Sequence, residues 1–287
     1  MKNRNRQDLE KLPPFTKYFK IPYSEEAKDI FGREVYVFEK IDGSLCQVRR
    51  TENSVLGGSR SNYITGSTKR PLWAPKFLKW MHSNPSLYNL PQGMIIFGEW
   101  LDPVTIDYET EFLDKFYFID LAIVDENGNP IFYDYNESLN YIDEWGIKSI
   151  EILNPICKSF LDRNKIEDIV LKVPSYLRSS KINEDTELVE VGEMEGVVLK
   201  NYHLQKFAKF LHPKYSEIRN QEKTLETKYI TEMRTNKAKR RLKDSGNLDF
   251  NLDELVQEII NDINEETGIA FEPTAVKGVI RVHHYND

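Results

Sequence analysis

The sequence predicts an α+β fold, with antiparallel sheets and flanking helices in residues 1–218 and a small helical domain in residues 219–287. Short runs of β-branched and aromatic residues, separated by turn signals, recur between Val35 and Leu199, and such runs are typical of antiparallel strands. Helical patches interrupt these runs without the regular alternation of a parallel α/β sheet. After about residue 218 the strand signals fade and polar helical sequence takes over.

The predicted strands are short apolar runs bounded by turn residues. The clearest cover residues 35–38, 94–97, 116–119 and 197–199. Asp42-Gly43 and Asn127-Gly128 lie between such runs, and these dipeptides are the strongest short-range signal of a two-residue hairpin. We therefore expect a hairpin turn at each dipeptide.

Helical patches separate the strands, at about 75–82, 137–145 and 163–172. Near the C-terminus, Asn251 is the expected N-cap of a further helix, because Glu254 follows three residues later as in a capping box. Gly268 is expected to end that helix. The apolar residues between them recur at helical spacing, which predicts one face packed against the protein: Leu252, Leu255, Val256, Ile259, Ile260 and Ile263.

The composition is that of a globular protein. The 287 residues are 40% hydrophobic and 30% charged, enough to build a sizeable core. Cys46 and Cys157 are too few and too far apart for a disulfide framework or a zinc site, and His283-His284 lacks metal-site spacing. No apolar stretch reaches the roughly 18–20 residues of a membrane span. We expect a cytoplasmic protein, of a cell or of a virus-infected host cell, without a membrane partner.

The strongest local signal for chemistry is the segment Phe38-Glu-Lys-Ile-Asp-Gly-Ser44. Lys40 ends an apolar strand beside an Asp-Gly turn, which fits a reactive amine held in a cleft and also fits an ordinary hairpin. On the local pattern alone the hairpin is favoured, because Asp-Gly is so common in hairpins. The residues that follow at ordered distances change this balance.

Several polar residues follow Lys40 in order: Arg60 in Gly-Gly-Ser-Arg-Ser, Glu99 in Gly-Glu-Trp, Asp120 after Phe-Tyr-Phe-Ile, Glu195 and Lys200 in Glu-Gly-Val-Val-Leu-Lys, then Lys206 and Lys209. Taken singly, each also fits a structural role, as a solvated charge on a strand or helix. The ordered set, from Phe38 to about Glu217, resembles the covalent nucleotidyltransferase superfamily of ATP-dependent polynucleotide ligases and capping enzymes, whose nucleotidyl motif is Lys-x-Asp-Gly.

The resemblance implies that the Lys40 amine attacks the α-phosphate of ATP and forms lysyl-AMP. The amine must first lose its proton, which nearby cations and bound Mg²⁺, or Mn²⁺, would favour. The resemblance assigns Arg60, Lys200, Lys206 and Lys209 to the phosphates, Glu99 to the ribose, Phe118 to the adenine face, Glu39 to the adenine edge, and Glu195 and Asp120 to the metal. The usual Lys-x-Lys motif is replaced by Lys206-Phe-Ala-Lys209, and the distance to Tyr215-Ser-Glu favours Lys209 as the α-phosphate contact over Lys206.

The tail after Glu217 has about 70 residues and a helical pattern, so a five-stranded OB-fold is not expected there. Phage and RNA-repair ligases carry a small helical domain at this point, and residues 212–217 are similar to nick-sealing RNA ligases. We therefore expect an ATP-dependent RNA ligase that joins a 3′-hydroxyl to a 5′-phosphate through an adenylylated RNA end. A DNA ligase, a GTP-dependent capping guanylyltransferase and an inactive nucleic-acid-binding protein remain alternatives.

The net charge of −7 hides a local basic stretch. Residues 1–220 sum to −4, residues 221–243 to +5 and residues 244–287 to −8. Polyanionic RNA needs a basic path, and we assign it to this stretch, with Lys239, Arg240 and Arg241 as its centre. A solvated helix face is the alternative explanation of the same pattern.

Overall fold

The structure is a computed structural model that describes residues 12–65, 72–102, 106, 108–178, 181–182, 189–190, 192–213, 215, 229–230 and 232–283. The strands in these ranges are β1 Glu34–Glu39, β2 Ser44–Arg50, β3 Val55–Gly58, β4 Met94–Leu101, β5 Lys115–Val124, β6 Pro130–Phe132, β7 Cys157–Phe160, β8 Lys181–Ile182, β9 Val189–Glu190, β10 Gly196–Asn201 and β11 Lys206–Leu211. The α-helices are α1 Ala74–His82, α2 Tyr135–Glu144, α3 Arg163–Lys172, α4 Glu232–Asp244, α5 Leu252–Thr267 and α6 Pro273–His283.

Two antiparallel sheets form the larger part of the molecule. One has the strand order β11-β10-β1-β7, the other β3-β2-β4-β5-β6, and β8 and β9 form a separate short pair. The four predicted apolar runs lie within β1, β4, β5 and β10, and the three predicted helical patches are α1, α2 and α3. The predicted α+β class is confirmed.

The four-stranded sheet is apolar on both faces, which explains its continuous apolar runs. In β1, Val35 and Val37 join a cluster on the side of α3, while Tyr36 joins the cluster that also contains the five-stranded sheet. Successive side chains of a strand point to opposite faces, so one strand serves two cores. The sheet is thereby held between the second sheet and a helical layer.

The predicted hairpin at Asp42-Gly43 is wrong. The strands that flank this dipeptide, β1 and β2, belong to different sheets and do not pair with each other. The glycine is required by close approach, because a Cβ on Gly43 would lie 2.6 Å from the carbonyl oxygen of Trp100. Asn127-Gly128 does lie in a turn between β5 and β6, with Gly128 at a φ of 84°, but the connection covers residues 125–129 and is not the expected two-residue loop.

The C-terminal helices have an apolar cluster of their own, in which Leu255, Ile259 and Ile263 are completely buried. Helix α5 begins in a capping box between Asn251 and Glu254 and ends at Gly268, whose φ is 72°, as predicted. The predicted domain boundary at 218–219 lies outside the described residues. No helix in the described ranges has the length and apolar character needed to cross a membrane.

Candidate active site

A cavity of about 270 Å³ lies where both sheets meet the C-terminal helices. Its walls carry Lys40 and Glu195 from the four-stranded sheet, Glu99 from the five-stranded sheet, and Lys237 and Asp262 from the helices. The cavity thus brings together the ordered polar residues of the sequence and a set of helical charges that the motif analysis did not select.

Lys40 is held at one end of the four-stranded sheet by strand register. It follows β1, and its backbone N–H donates to the carbonyl of Gly196, the first residue of the neighbouring β10. Lys40 Nζ lies 2.5 Å from Glu195 Oε2. Gly196 permits this arrangement because a Cβ there would lie 2.2 Å from the carbonyl oxygen of Phe210 on the next strand.

The carboxylates around Lys40 set its protonation. Burial acts to lower the pKa of Lys40, but Glu195, Asp42 and Glu99 outweigh it and hold the pKa above its usual value. Burial in turn raises the pKa of Glu195 and of Glu99 to about 7, against the opposing effect of Lys40. Without nucleotide, Lys40 is therefore an ammonium at neutral pH. The predicted attack on the α-phosphate needs the neutral amine, so Lys40 must first lose a proton.

Glu99 and the Asp42-Gly43 turn form one unit. Glu99 lies in β4 opposite Leu45 of β2, and its Oε1 accepts a hydrogen bond of 3.1 Å from the backbone N–H of Gly43. The turn that follows Lys40 is therefore tied to the five-stranded sheet by the side chain that is predicted to hold the ribose.

Lys200 lines the cavity and forms a buried pair with Asp120. Lys200 Nζ lies 2.8 Å from Asp120 Oδ1 and 2.9 Å from the carbonyl oxygen of Ile119. The hydroxyls of Tyr18 and Tyr202 also donate to Asp120. The carboxylate oxygens of Asp120 thus accept from three donors, and the negative charge of Asp120 balances the positive charge of Lys200. The structure therefore does not orient Asp120 as the predicted metal ligand.

The two lysines of β11 point in different directions because their spacing of three places them on opposite faces of a strand. Lys209 lines the cavity, with its Nζ 4.3 Å from the centre of the Tyr23 ring. Lys206 forms an exposed ion pair with Asp29 and is not part of the cavity wall. Of the two candidates for the α-phosphate contact, Lys209 lies in the cavity wall and Lys206 does not.

The remaining predicted nucleotide contacts also line the cavity. Arg60 and the ring of Phe118 are both in its wall, Phe118 being 6% exposed. Glu39 is fixed by two hydrogen bonds, 2.5 Å from the Ser175 hydroxyl and 2.7 Å from the Tyr176 backbone N–H. These two hydrogen bonds fix the orientation of the Glu39 carboxylate in the cavity wall.

Helix α4 turns a row of cations towards the cavity. Arg234, Lys237 and Arg241 recur at helical spacing, and the first two line the cavity. Sequence analysis missed this row because it treated residues 221–243 as one basic stretch. A usable signal was present: α5 carries acidic residues at the matching spacing, Glu258, Asp262, Glu265 and Glu266, beside its apolar stripe.

The three residues assigned to RNA differ in their surroundings. Arg240 is exposed and Lys239 is half-buried. Arg241 is 4% exposed and pairs with Asp102 at 2.9 Å and Asp262 at 3.0 Å. Its helical position turns it into the protein, so the structure does not group Arg241 with a surface that RNA could reach.

In the described ranges no three His, Cys, Asp or Glu side chains are grouped as a preformed metal site. Glu195, Glu99 and Asp42 nevertheless line one cavity. Mg²⁺ and similar hard ions are commonly held by one or two carboxylates together with phosphate oxygens and water. The donor set therefore fits a metal that arrives with a phosphate ligand.

A lysine beside a buried carboxylate, in a cavity lined by cations and carboxylates between two antiparallel sheets, is the arrangement that the resemblance to the nucleotidyltransferase superfamily predicts. The model of the RNA ligase family matches residues 33–212, more than half of the chain. The chain belongs to the RNA ligase family, as the ordered motifs predict. No curated protein sequence is similar enough to this chain to count as a relative.

Among solved structures, a substituted form of the Naegleria gruberi RNA ligase without ligand is similar to this chain, with a TM-score of 0.51 and 14% identity over 71% of this chain and 57% of that one. A form with AMP and Mn has a TM-score of 0.48 and 15% identity, over 74% and 60%. This chain spans less than two thirds of the length of these proteins. The first likeness supports the shared fold.

Proposed function

We propose that the protein is an ATP-dependent RNA ligase that joins a 3′-hydroxyl to a 5′-phosphate through a lysyl-AMP intermediate at Lys40. The observation that carries the proposal is the placement of Lys40 Nζ 2.5 Å from Glu195 in a cavity also lined by Arg60, Lys200 and Lys209. Family membership favours RNA as the substrate. Structures of the Naegleria ligase contain ATP and Mn or AMP and Mn, which favours ATP with a divalent metal.

In the first step the Lys40 amine attacks the α-phosphorus of ATP. A P–N bond forms, the bond from that phosphorus to the bridging oxygen breaks, and pyrophosphate leaves with the electron pair. The ammonium of Lys40 must first give up its proton, which Glu195, Asp42 and Glu99 retain on it in the free protein. Once cations balance these carboxylates, the pKa of Lys40 falls and the neutral amine becomes available.

A divalent metal held by Glu195 would supply positive charge to the α-phosphate. The rest of the nucleotide is held by this chain's own residues. Glu99 accepts hydrogen bonds from the ribose hydroxyls, Phe118 stacks on the adenine, and Glu39 faces the adenine edge. Arg60, Lys200 and Lys209 neutralise the phosphates; Lys206, bound to Asp29 on the surface, is not included.

In the second step AMP passes from Lys40 to the RNA 5′-phosphate, and in the third a 3′-hydroxyl attacks that phosphorus and expels AMP. Arg240 and Lys239, on the outer side of α4, guide the RNA backbone. Residues 219–287 form the accessory helical domain of this cytoplasmic enzyme. Nick repair, tRNA repair and circularisation use the same three steps. The sealing assay below distinguishes nicked from single-stranded RNA as the substrate.

The proposal is tested by mixing the protein with α-labelled ATP or GTP and Mg²⁺ or Mn²⁺. We expect a covalent adduct with ATP, and at least a ~1,000-fold loss of its formation in Lys40→Ala, because the nucleophile is removed. Lys172→Ala removes a surface lysine from an i,i+4 pair with Asp168 and is the matched control. No adduct with either nucleotide would overturn the proposal, and an adduct with GTP alone would select a capping enzyme.

Substrate class is tested separately by sealing nicked and single-stranded substrates in RNA and DNA forms. We expect sealing of RNA ends and little sealing of all-DNA ends. Sealing of DNA alone would overturn the assignment to RNA while leaving lysyl-AMP chemistry intact.

A further inference from the structure

We propose that helix α4 supplies the binding site for the pyrophosphate portion of ATP, with Lys237 as its main contact and Arg234 beside it. The proposal rests on the lysyl-AMP chemistry above and adds to it residues outside the motif-bearing region, residues 33–212. The ligand is an inorganic or nucleotide-linked diphosphate.

The helix presents one cationic face to the cavity. Arg234 and Lys237 lie one turn apart and line the same cavity as Lys40 and Glu99. Arg234 is itself bound to Asp262 and, at 2.7 Å, to Glu266, so Lys237 is the cation of this face that is placed to bind a phosphate group. Asn236, which lies on the exposed side of the helix, does not line the cavity.

Lys237 is next to the turn that carries the nucleophile. Its Nζ lies 3.2 Å from the carbonyl oxygen of Gly43 and 3.8 Å from Asp42 Oδ1. Lys237 and Lys40 are also the two largest cationic influences that lower the pKa of Glu99. A phosphate chain whose α-phosphorus is at Lys40 therefore has Lys237 within reach of its next groups.

The carboxylate contacts of Lys237 are loose enough to be exchanged for phosphate. Asp262 Oδ1 is 3.5 Å from Lys237 Nζ, longer than the roughly 2.7–2.9 Å of a strong charge-assisted hydrogen bond. Arg241, by comparison, is bound to Asp262 at 3.0 Å and to Asp102 at 2.9 Å. Arg241 thus anchors the helix, while Lys237 is placed to bind a ligand.

Charge balance gives the same assignment. Lys200 is paired with Asp120 and bonded to the carbonyl of Ile119, so much of its charge is neutralised inside the protein. Pyrophosphate carries most of the negative charge of the nucleotide and gains more as the bond to the α-phosphorus breaks. Positive charge on Lys237, whose carboxylate contacts are 3.5 Å and 3.8 Å long, stabilises that leaving group and raises the affinity for ATP.

The test separates adenylylation from the later steps. In Lys237→Ala, we expect the ATP concentration for half-maximal adduct formation to rise ~10-fold or more, because a charge-assisted phosphate contact is lost. The concentration of inorganic pyrophosphate needed to reverse the adduct should rise similarly. Sealing of RNA that already carries a 5′-AMP should remain within about twofold, because that reaction involves no pyrophosphate.

Two further variants distinguish binding from a structural role. Asn236→Ala, at an exposed neighbouring position, should match the wild type in every assay, and Lys237→Arg should recover most of the affinity. An equal loss in adduct formation and in sealing of adenylylated RNA would overturn the proposal in favour of a structural role. Unchanged ATP and pyrophosphate dependence would overturn it outright.

A binding measurement tests the site without any turnover. Calorimetry measures the binding of inorganic pyrophosphate to the unmodified protein. We expect wild-type protein to bind it and Lys237→Ala to bind ~10-fold more weakly. If the wild type forms no lysyl adduct, the proposed function fails, while this difference in pyrophosphate binding still supports the site. Equal binding by the two proteins would contradict it.

Discussion

The sheets and the C-terminal helices bury charge in different ways. In the sheets, Lys200 and Asp120 form a closed pair, completed by two tyrosine hydroxyls and a backbone carbonyl. At the helices, Asp262 is shared by Arg234, Lys237 and Arg241. The first arrangement is a satisfied unit within one core, and the second is a network that joins two parts of the chain.

The difference shows how the helices are held on the sheets. In the described ranges, the apolar cluster of α4 to α6 takes one residue from the sheet region, the partly buried Leu72. Across the same boundary Arg241 pairs with Asp102 and bonds to Ser44 of β2. Charged contacts are directional, so this network fixes where α4 lies over the cavity, which apolar packing alone does not specify.

The largest expected effect comes from opening the closed pair. Asp120→Ala leaves Lys200 buried with its main partner removed and orphans two tyrosine hydroxyls. We expect a loss of ~3–5 kcal/mol in the free energy of unfolding, measured by urea denaturation at neutral pH. Asp168→Ala, in an exposed pair with Lys172, should cost at most about 0.5 kcal/mol. A loss below 1 kcal/mol in Asp120→Ala would show that the pair is not a structural unit.

A smaller and more local effect is expected from Arg241→Met. The substitution keeps much of the side-chain volume but leaves Asp102 buried without its cation, which should cost ~2–3 kcal/mol. Hydrogen exchange should show the loss in α4 to α6 and leave β4 and β5 protected. Equal opening of both regions would mean that the helices and the sheets unfold as one unit and that the charge network does not hold the helices separately.

Acid should weaken the helical region first. Burial acts to raise the pKa of Glu266, but Arg234 outweighs it and holds the pKa at about 2, below its ordinary value. A lowered pKa stabilises the fold above the ordinary carboxyl range, and this stabilisation is lost as pH falls from about 4.5 towards 2. Because Glu266 is partly exposed, we expect less than about 1 kcal/mol from it. Glu266→Gln should flatten the acid limb measured by hydrogen exchange in α5.

The sheet carboxylates should show the opposite dependence on pH. Burial raises the pKa of Glu195 to about 7, so between about pH 4.5 and 7 the unfolded chain is ionised there while the folded protein retains its proton. Stability therefore falls as pH rises through this window, by up to about 3 kcal/mol. Glu195→Gln should remove that decline in thermal unfolding curves recorded at several pH values. A decline that persists in the variant would assign it to another group.

Local patterns predicted the parts of the fold whose causes are local. The capping box at Asn251, the αL glycine at Gly268 and the turn at Asn127-Gly128 each depend on a few neighbouring residues. Asp42-Gly43 has the same local signature but serves a different purpose, because its glycine is needed against Trp100 of another strand. A contact between residues far apart in the sequence cannot be seen in a dipeptide.

The candidate site divides in the same way. Lys40, Glu99 and Glu195 were found from their order along the chain, and strand register explains why they meet. Helical spacing also separates Arg241, which is buried, from Arg240, which is exposed, although the two are neighbours in the sequence. Composition could indicate a basic stretch, but only the helix packing shows which side of it is turned inwards.

The sequence by itself determined the fold class and the RNA ligase family, and it selected Lys40 as the candidate for the reactive lysine. These depend on period-2 and period-3.6 patterns and on ordered motifs, which are properties of the chain alone. Tertiary structure decided that β1 and β2 enter different sheets, that Lys209 and Lys206 face different ways, and that α4 closes over the cavity. These depend on contacts between distant segments, where charge and close packing select one arrangement among several that the local sequence permits.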